Sequence, residues 1–306
     1  MSEIAEAVRA LAAGRLVILP TETVYGLAAD AANGAAVARL YEAKGRPRFN
    51  PLIAHVADLE AAFRIAELDH RARVLAGAFW PGPLTIVAPA RSDCLVVDLA
   101  RAGLDTVAVR VPAHPLARLV LEAFGGPVAA PSANRSGRPS PTTLADAVGE
   151  TGEAAAMTLD GGPCRIGLES TVVALLDGPP RLLRPGAVTR GEIEALIGPL
   201  AEAEADERRS PGRLTRHYAP AAPLRLEATA PRDGESFLSF GAVSAGPEAL
   251  NLSPTGDLAQ AAARLFSCLR AADALAPVAI AVAPIPEHGL GEAINDRLRR
   301  AAGRVG

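Results

Sequence analysis

The sequence predicts an α/β protein with a central sheet. Segments with apolar residues at helical spacing alternate with short apolar strands, and the most polar, glycine-containing segments lie directly after or before strands. In addition, 49% of the 306 residues are hydrophobic and 21% charged, a composition that supports a packed core and excludes a disordered chain or a fibre. Ile4, Val8 and Leu11 recur at helical spacing before Gly14, and Leu16 to Leu19 reads as a buried strand closed by Pro20. Helix is expected over 35–44, strand over 52–56, helix with a break over 58–80, and strand over 84–88. Strand over 106–111, helix over 115–124, a short strand at 128–130 and a helix start at 144–148 follow. Strands at 170–176 and 181–184 precede a helix that Thr189 caps and that runs to Ile197.

Residues 198–220 change character, with an Ala/Glu run ending in Ser210-Pro211-Gly212, and read as a linker. Beyond it, strands at 224–226, 236–240 and 278–282 and helices at 258–274 and 290–302 form a second, small α/β unit. The expected division is therefore a catalytic domain over 1–197, a linker or lid over 198–220 and a C-terminal domain over 221–306.

The chain has 31 basic and 34 acidic residues, and residues 1–190 balance at 19 of each. That speaks against a polycationic nucleic-acid surface. No apolar run approaches the roughly 18 residues of a membrane span, and Met1 opens onto Ser2-Glu3-Ile4 rather than a signal segment, so a cytoplasmic protein without a membrane partner is expected. Cys94, Cys164 and Cys268 are far apart, and the five histidines are scattered without metal-ligand spacing.

Neither a GxxxxGK[ST] phosphate loop nor HExxH or GxSxG is present. What remains is Pro20 to Leu27, Pro131 to Gly137 and Gly161 to Thr171, three polar segments at strand ends, where α/β sheets bind ligands. Thr21 and Thr23 suit a turn as well as a ligand. Together with Arg46, Arg110 and Arg184, these segments supply hydrogen-bond donors without a nucleophile–base pair, which suits an anionic ligand handled by positioning. Of the basic residues only Lys44 is a lysine, set in Lys44-Gly45-Arg46-Pro47-Arg48, and a compact ammonium meets phosphate differently from a guanidinium.

The strings Pro-Thr-Glu-Thr-Val-Tyr-Gly-Leu at 20–27, Lys-Gly-Arg-Pro at 44–47 with Asn50-Pro51-Leu52, and Trp-Pro-Gly-Pro-Leu-Thr at 80–85 resemble the Sua5/YrdC/YciO family. So do Val-Arg-Val-Pro at 109–112, Pro-Ser-Ala-Asn-Arg-Ser-Gly at 131–137, Glu-Ser-Thr-Val-Val at 169–173 and Leu-Arg-Pro-Gly at 183–186. The likeness covers about residues 1–195 in collinear order, and the tail, with His217-Tyr218-Ala219-Pro220, resembles the long Sua5 form. It implies a YrdC-like twisted open mixed sheet with flanking helices, plus a small Rossmann-like Sua5 domain.

The resemblance further implies a nucleotidyltransferase that makes threonylcarbamoyl-AMP and pyrophosphate from L-threonine, bicarbonate and ATP. The product would pass to the machinery that modifies adenosine 37 of tRNAs reading ANN codons, with weak tRNA contact at most. By motif match, Thr23, His55, Arg110, Ala130 and Ser170 fall on the threonine side. Arg46, Asn50, Thr106, Ser132, Ser140, Arg184 and Tyr218 fall on the ATP side, with Lys44 and Arg46 as the catalytic, solvent-facing cations. Asn50 is a neutral residue where relatives often carry lysine. Mg2+ would be carried by the phosphates, with no ligand from the protein. Two other readings stand beside this one: a double-stranded RNA or tRNA module without chemistry, and a carbamoyltransferase-like enzyme such as the related domain of hydrogenase maturation proteins.

Overall fold

A computed structural model describes residues 2–202, 217–242 and 250–303. The first unit runs α1 (Glu3–Ala12), β1 (Leu16–Leu19), β2 (Gly26–Asp30), α2 (Gly34–Lys44), β3 (Ile53–His55), α3 (Leu59–Phe63), α4 (His70–Phe79), β4 (Leu84–Pro89) and α5 (Asp98–Arg101). It continues with β5 (Thr106–Arg110), α6 (Pro115–Phe124), β6 (Val128–Ala129), α7 (Leu144–Thr151), β7 (Ala155–Thr158), β8 (Thr171–Ala174), β9 (Arg181–Arg184), α8 (Arg190–Ile197) and β10 (Ala201–Glu202). These strands form one ten-stranded mixed sheet in the order β10-β9-β8-β4-β5-β3-β6-β2-β1-β7. In β1, Leu16 and Ile18 enter one apolar core and Val17 and Leu19 the opposite one with α1 and α6, so burial on both faces explains its uninterrupted apolar run.

The second unit contains β11 (Leu224–Arg225), β12 (Glu235–Ser239), β13 (Leu250–Asn251), α9 (Leu258–Ala274), β14 (Ala279–Val282) and α10 (Leu290–Ala301). Its four strands are all parallel, ordered β11-β14-β12-β13. The units share an interior, because Val24 and Leu168 of the first pack into the core built from Leu238, Leu265 and Phe266 of the second. Gly167 lies so close to α9 that a Cβ there would stand 2.5 Å from the Ala263 Cα.

The architecture agrees with the expected mixed sheet and small α/β appendage. Several elements were not legible. Gly26–Asp30 and Ala155–Thr158 are strands although Gly-Leu-Ala-Ala-Asp and Ala-Ala-Met-Thr contain almost no β-branched residue; pairing with β1 from either side makes them strands. Short pieces at α5, β10 and β13 were also missed, and β10 extends the sheet inside the stretch read as linker. Residues 203–216 of that stretch, with Arg213 and Arg216, lie outside the described residues.

Candidate functional site

The cleft forms along the paired strands β3 and β5, which run parallel with His55 opposite Arg110 and Ile53 opposite Ala108. Helix α2 ends at Gly45, whose φ of +57° turns the chain so that Arg46 enters the cleft. Thr106 and Arg110 stand at opposite ends of β5, about 13 Å apart at the rise of a strand. Of the two, only Arg110 reaches the wall of the cleft.

At the Arg110 end the wiring is dense. The Arg110 guanidinium donates to Thr23 Oγ1 (2.9 Å), to the Gly82 carbonyl (3.1 Å) and to Glu22, whose second oxygen accepts the Ala113 N–H (3.0 Å). Burial pushes the Glu22 carboxyl up, but Arg110 and the backbone N–H groups outweigh it and hold the group below the usual carboxylate value. Thr21 caps the preceding turn: its hydroxyl donates to the Val24 carbonyl (2.6 Å) and accepts the N–H groups of Thr23 and Val24 (3.2 Å each), which aims Thr23 at Arg110. His55 Nδ1 donates to the Ile53 carbonyl (3.2 Å), and burial, then Arg110, press the imidazole down to about 3. It is neutral at physiological pH, with its N–H given to Ile53, so it can orient a substrate but does not act as a cationic acid.

Ser170 joins the two ends. Its hydroxyl lies 2.7 Å from that of Thr85, and Arg184 donates to its carbonyl (2.8 and 3.1 Å) and its Oγ (3.2 Å). Bonded to a threonine and an arginine rather than to a histidine, Ser170 is not arranged as a nucleophile. Arg46, braced on the carbonyls of Asn50 (3.2 Å) and Pro51 (2.9 Å), is pushed down to about 10 by burial and stays charged.

Thr23, Arg46, His55, Arg110, Ala130, Ser132, Ser170, Arg184 and Tyr218 all line this one cleft. Asn50, Thr106 and Ser140 are buried beside it rather than on its wall. Ser140 stands behind Glu169, a lining residue that the motif match did not assign to either substrate; Glu169 accepts its hydroxyl and pairs with Arg297. Lys44 departs from the expected solvent-facing cation. It is 2% exposed, and its ammonium donates to the carbonyls of Ser132 and Asn134 while its own carbonyl accepts the Ser136 N–H (2.8 Å). Lys44 thus fastens the 132–136 loop to the end of α2, and burial pushes its pKa far down.

His217 and Tyr218 close the groove. The tyrosine ring meets His217 edge-on at 4.0 Å, Phe266 at 5.5 Å and the Arg297 guanidinium at 5.2 Å, and the Ala219 N–H donates to the Gly137 carbonyl at 2.7 Å. With these two side chains in place the cleft encloses about 50 Å³.

An open mixed sheet whose groove presents fixed arginines, hydroxyls and a neutral histidine, without a nucleophile of its own, defines a protein that positions anionic reactants. The Sua5_yciO_yrdC family model, described as telomere recombination, matches residues 9–186, and the threonylcarbamoyl-AMP synthase C-terminal domain model matches residues 188–303. The chain belongs to the Sua5/YrdC/YciO family. It is 42% identical to a threonylcarbamoyl-AMP synthase of Pyrococcus abyssi over 95% of this chain and 91% of that one. A Bacillus subtilis threonylcarbamoyl-AMP synthase is 39% identical over 98% of this chain and 93% of that one. The crystal structure of P. abyssi Sua5 complexed with L-threonine superposes with a TM-score of 0.91 at 40% identity, covering 99% of this chain and 96% of that one.

Proposed function

We propose that the protein is an L-threonylcarbamoyladenylate synthase acting in the cytoplasm. The observation that carries this reading is the groove itself: Arg46, Arg110 and Arg184 line it beside Thr23, His55 and Ser170, and among its lining residues no side chain is arranged as an activated nucleophile. Such a site suits a reaction whose nucleophile is a substrate. The amino nitrogen of threonine and bicarbonate form a carbamate with loss of water; a carbamate oxygen then attacks the α-phosphorus of ATP, and pyrophosphate leaves.

The residues have distinct parts in this scheme. Arg110, held square by Glu22, suits the threonine carboxylate as a bidentate partner, with Thr23 and His55 beside it. Ile53, Ala130 and Pro131 offer an apolar wall for the methyl group. Arg46, Ser132 and Arg184 take the phosphates, with Lys44 setting the Ser132 loop from beneath. Glu22 and Glu169 are each committed to an arginine, so Mg2+ would arrive on the triphosphate rather than on a protein site. Residues 198–220 would act as a lid whose His217-Tyr218 end excludes water from the labile mixed anhydride, between a catalytic domain at 1–197 and the C-terminal domain at 221–306. The product would go to the tRNA threonylcarbamoyl-transfer machinery, with weak tRNA contact at most.

The test is pyrophosphate release from ATP with threonine and bicarbonate supplied or withheld in turn. Release that requires both, with threonylcarbamoyl-AMP recovered, is the expected outcome. Release indifferent to threonine, or none at all, sinks the reading.

A further inference from the structure

One arginine of the C-terminal unit reaches both the wall of the cleft and its cover. Arg297, on α10, is fully buried. Its Nε donates to Glu169 Oε2 at 2.9 Å, and its Nη1 to the Pro185 carbonyl at 3.0 Å and to Asp296 Oδ2 at 2.8 Å. The Cζ of the same guanidinium lies over the Tyr218 ring, 5.2 Å from its centroid. Glu169 carries the connection onward, since its other oxygen accepts the Ser140 hydroxyl. Three residues further along α10, the Arg300 carbonyl accepts the His217 N–H at 3.3 Å. The helix therefore holds the cover through a ring face and a backbone bond, and holds the wall through a carboxylate. The hydrogen bonds of Thr23, His55 and Arg110 run elsewhere, to residues of the first unit. Arg297 Nη2 is buried with no hydrogen-bond partner among the described residues, and Arg297 itself is not on the cleft wall, so it acts on the groove through Glu169 and Tyr218, which are.

We propose that Arg297 is a positioning residue for the nucleotide end of the site: it fixes Glu169 and Ser140 and supports Tyr218, so the C-terminal unit sets ATP affinity without touching the amino acid. This rests on the ATP-dependent reading above. A mere staple between the units would instead loosen both ends alike, because nothing in that role distinguishes one substrate from the other.

The experiment uses the full chain with Arg297→Met, Arg297→Lys and the double variant Arg297→Met/Glu169→Gln. ATP affinity is read by calorimetry, KM for ATP and for threonine by turnover, and stability by thermal melting. Arg297→Met is expected to weaken ATP binding by about tenfold or more while the threonine KM stays within about threefold. The double variant removes the stranded carboxylate, so it should melt close to the unsubstituted protein yet bind ATP as weakly as Arg297→Met. Arg297→Lys keeps a charge for Glu169 but no plane for the ring, and should fall between. If Arg297→Met does not fold, the double variant alone decides. ATP affinity unchanged in the variants overturns the proposal, and so does equal weakening for both substrates that the double variant repairs together with its melting temperature. Binding without turnover in the unsubstituted protein would defeat the synthase reading while calorimetry still judges Arg297; no ATP binding at all would defeat both.

Discussion

The two ends of the cleft are built on different terms. At the Arg110 end, Glu22, Thr23 and Arg110 satisfy one another within the first unit, and the Thr85–Ser170 pair does the same nearby. At the Tyr218 end, both units contribute, and Asn50 Nδ2, His217 Nδ1, Tyr218 OH and Arg297 Nη2 are buried without hydrogen-bond partners among the described residues. An unsatisfied buried polar atom costs about 1–3 kcal/mol, so the second end carries strain that a polar ligand can relieve. On the proposed reading, the satisfied end is a pre-organised half-site for threonine and the other is completed by ATP, and that difference orders the experiments that follow.

Breaking the satisfied end has the largest expected effect. Arg110→Ala strands the Glu22 carboxylate in the interior, and removing one partner of a buried pair costs about 3–5 kcal/mol. Urea unfolding should register that loss, and threonine binding should vanish. Arg110→Met with Glu22→Gln should recover most of the stability but none of the binding; recovery of threonine affinity by that double variant would show that Arg110 does not hold the carboxylate.

Lys44→Ala comes next. It leaves the carbonyls of Ser132 and Asn134 without their donor and removes a buried aliphatic stem, a loss of about 2–4 kcal/mol in unfolding experiments. A change under about 0.5 kcal/mol would mean that the ammonium does not anchor the loop.

The histidines, one at each end, make the comparison visible in pH. His55 titrates near 3 in the folded protein, and His217 is also driven well below 6.5 by burial, then by Arg46, Lys44 and further arginines. A depressed histidine means that the unfolded chain takes up protons first. Stability is therefore complete above about pH 6.5 and falls as the pH drops toward the folded value, by about 1.4 kcal/mol per pH unit for each histidine. Between pH 6.5 and 5 this loss precedes that from Glu22 and Glu169, whose lowered carboxyls lose stability only below their ordinary value of 4.5. His55→Gln should halve the slope measured by chemical unfolding across that window, and an unchanged slope would place the imidazole in solvent.

Tyr218→Phe is the smallest and sharpest change. Deleting a buried hydroxyl that has no partner among the described residues should leave stability unchanged or raise it by about 1 kcal/mol, while ATP affinity falls if the hydroxyl is kept for the nucleotide. A stability loss of that size with unchanged ATP affinity would contradict the view of this end as ligand-completed.

Much of the site was legible because its residues lie in local segments with local signatures. The turn at Thr21, the left-handed Gly45 behind Arg46 and the ends of β3 and β5 are set by neighbours in sequence, and they place Thr23, Arg46, His55 and Arg110 on one wall. Lys44 shows where such reading stops. Its place in a basic turn suggested solvent, yet the carbonyls that bury it belong to residues 88 and 90 positions away.

By itself the sequence determined the alternation of helix and strand, the helix caps, the groove-lining motifs and, through its motif order, the family. Those properties follow from periodicity and turn chemistry within a few residues. Only the tertiary structure decided that β2 and β7 are strands, that Glu22 and Glu169 serve arginines, and that Arg297 of α10 meets Glu169 across 128 residues of chain. Each of these depends on which surfaces the two sheets bring together, and a charged side chain in an arginine-rich helix carries no local mark of the distant carboxylate that will take it out of water.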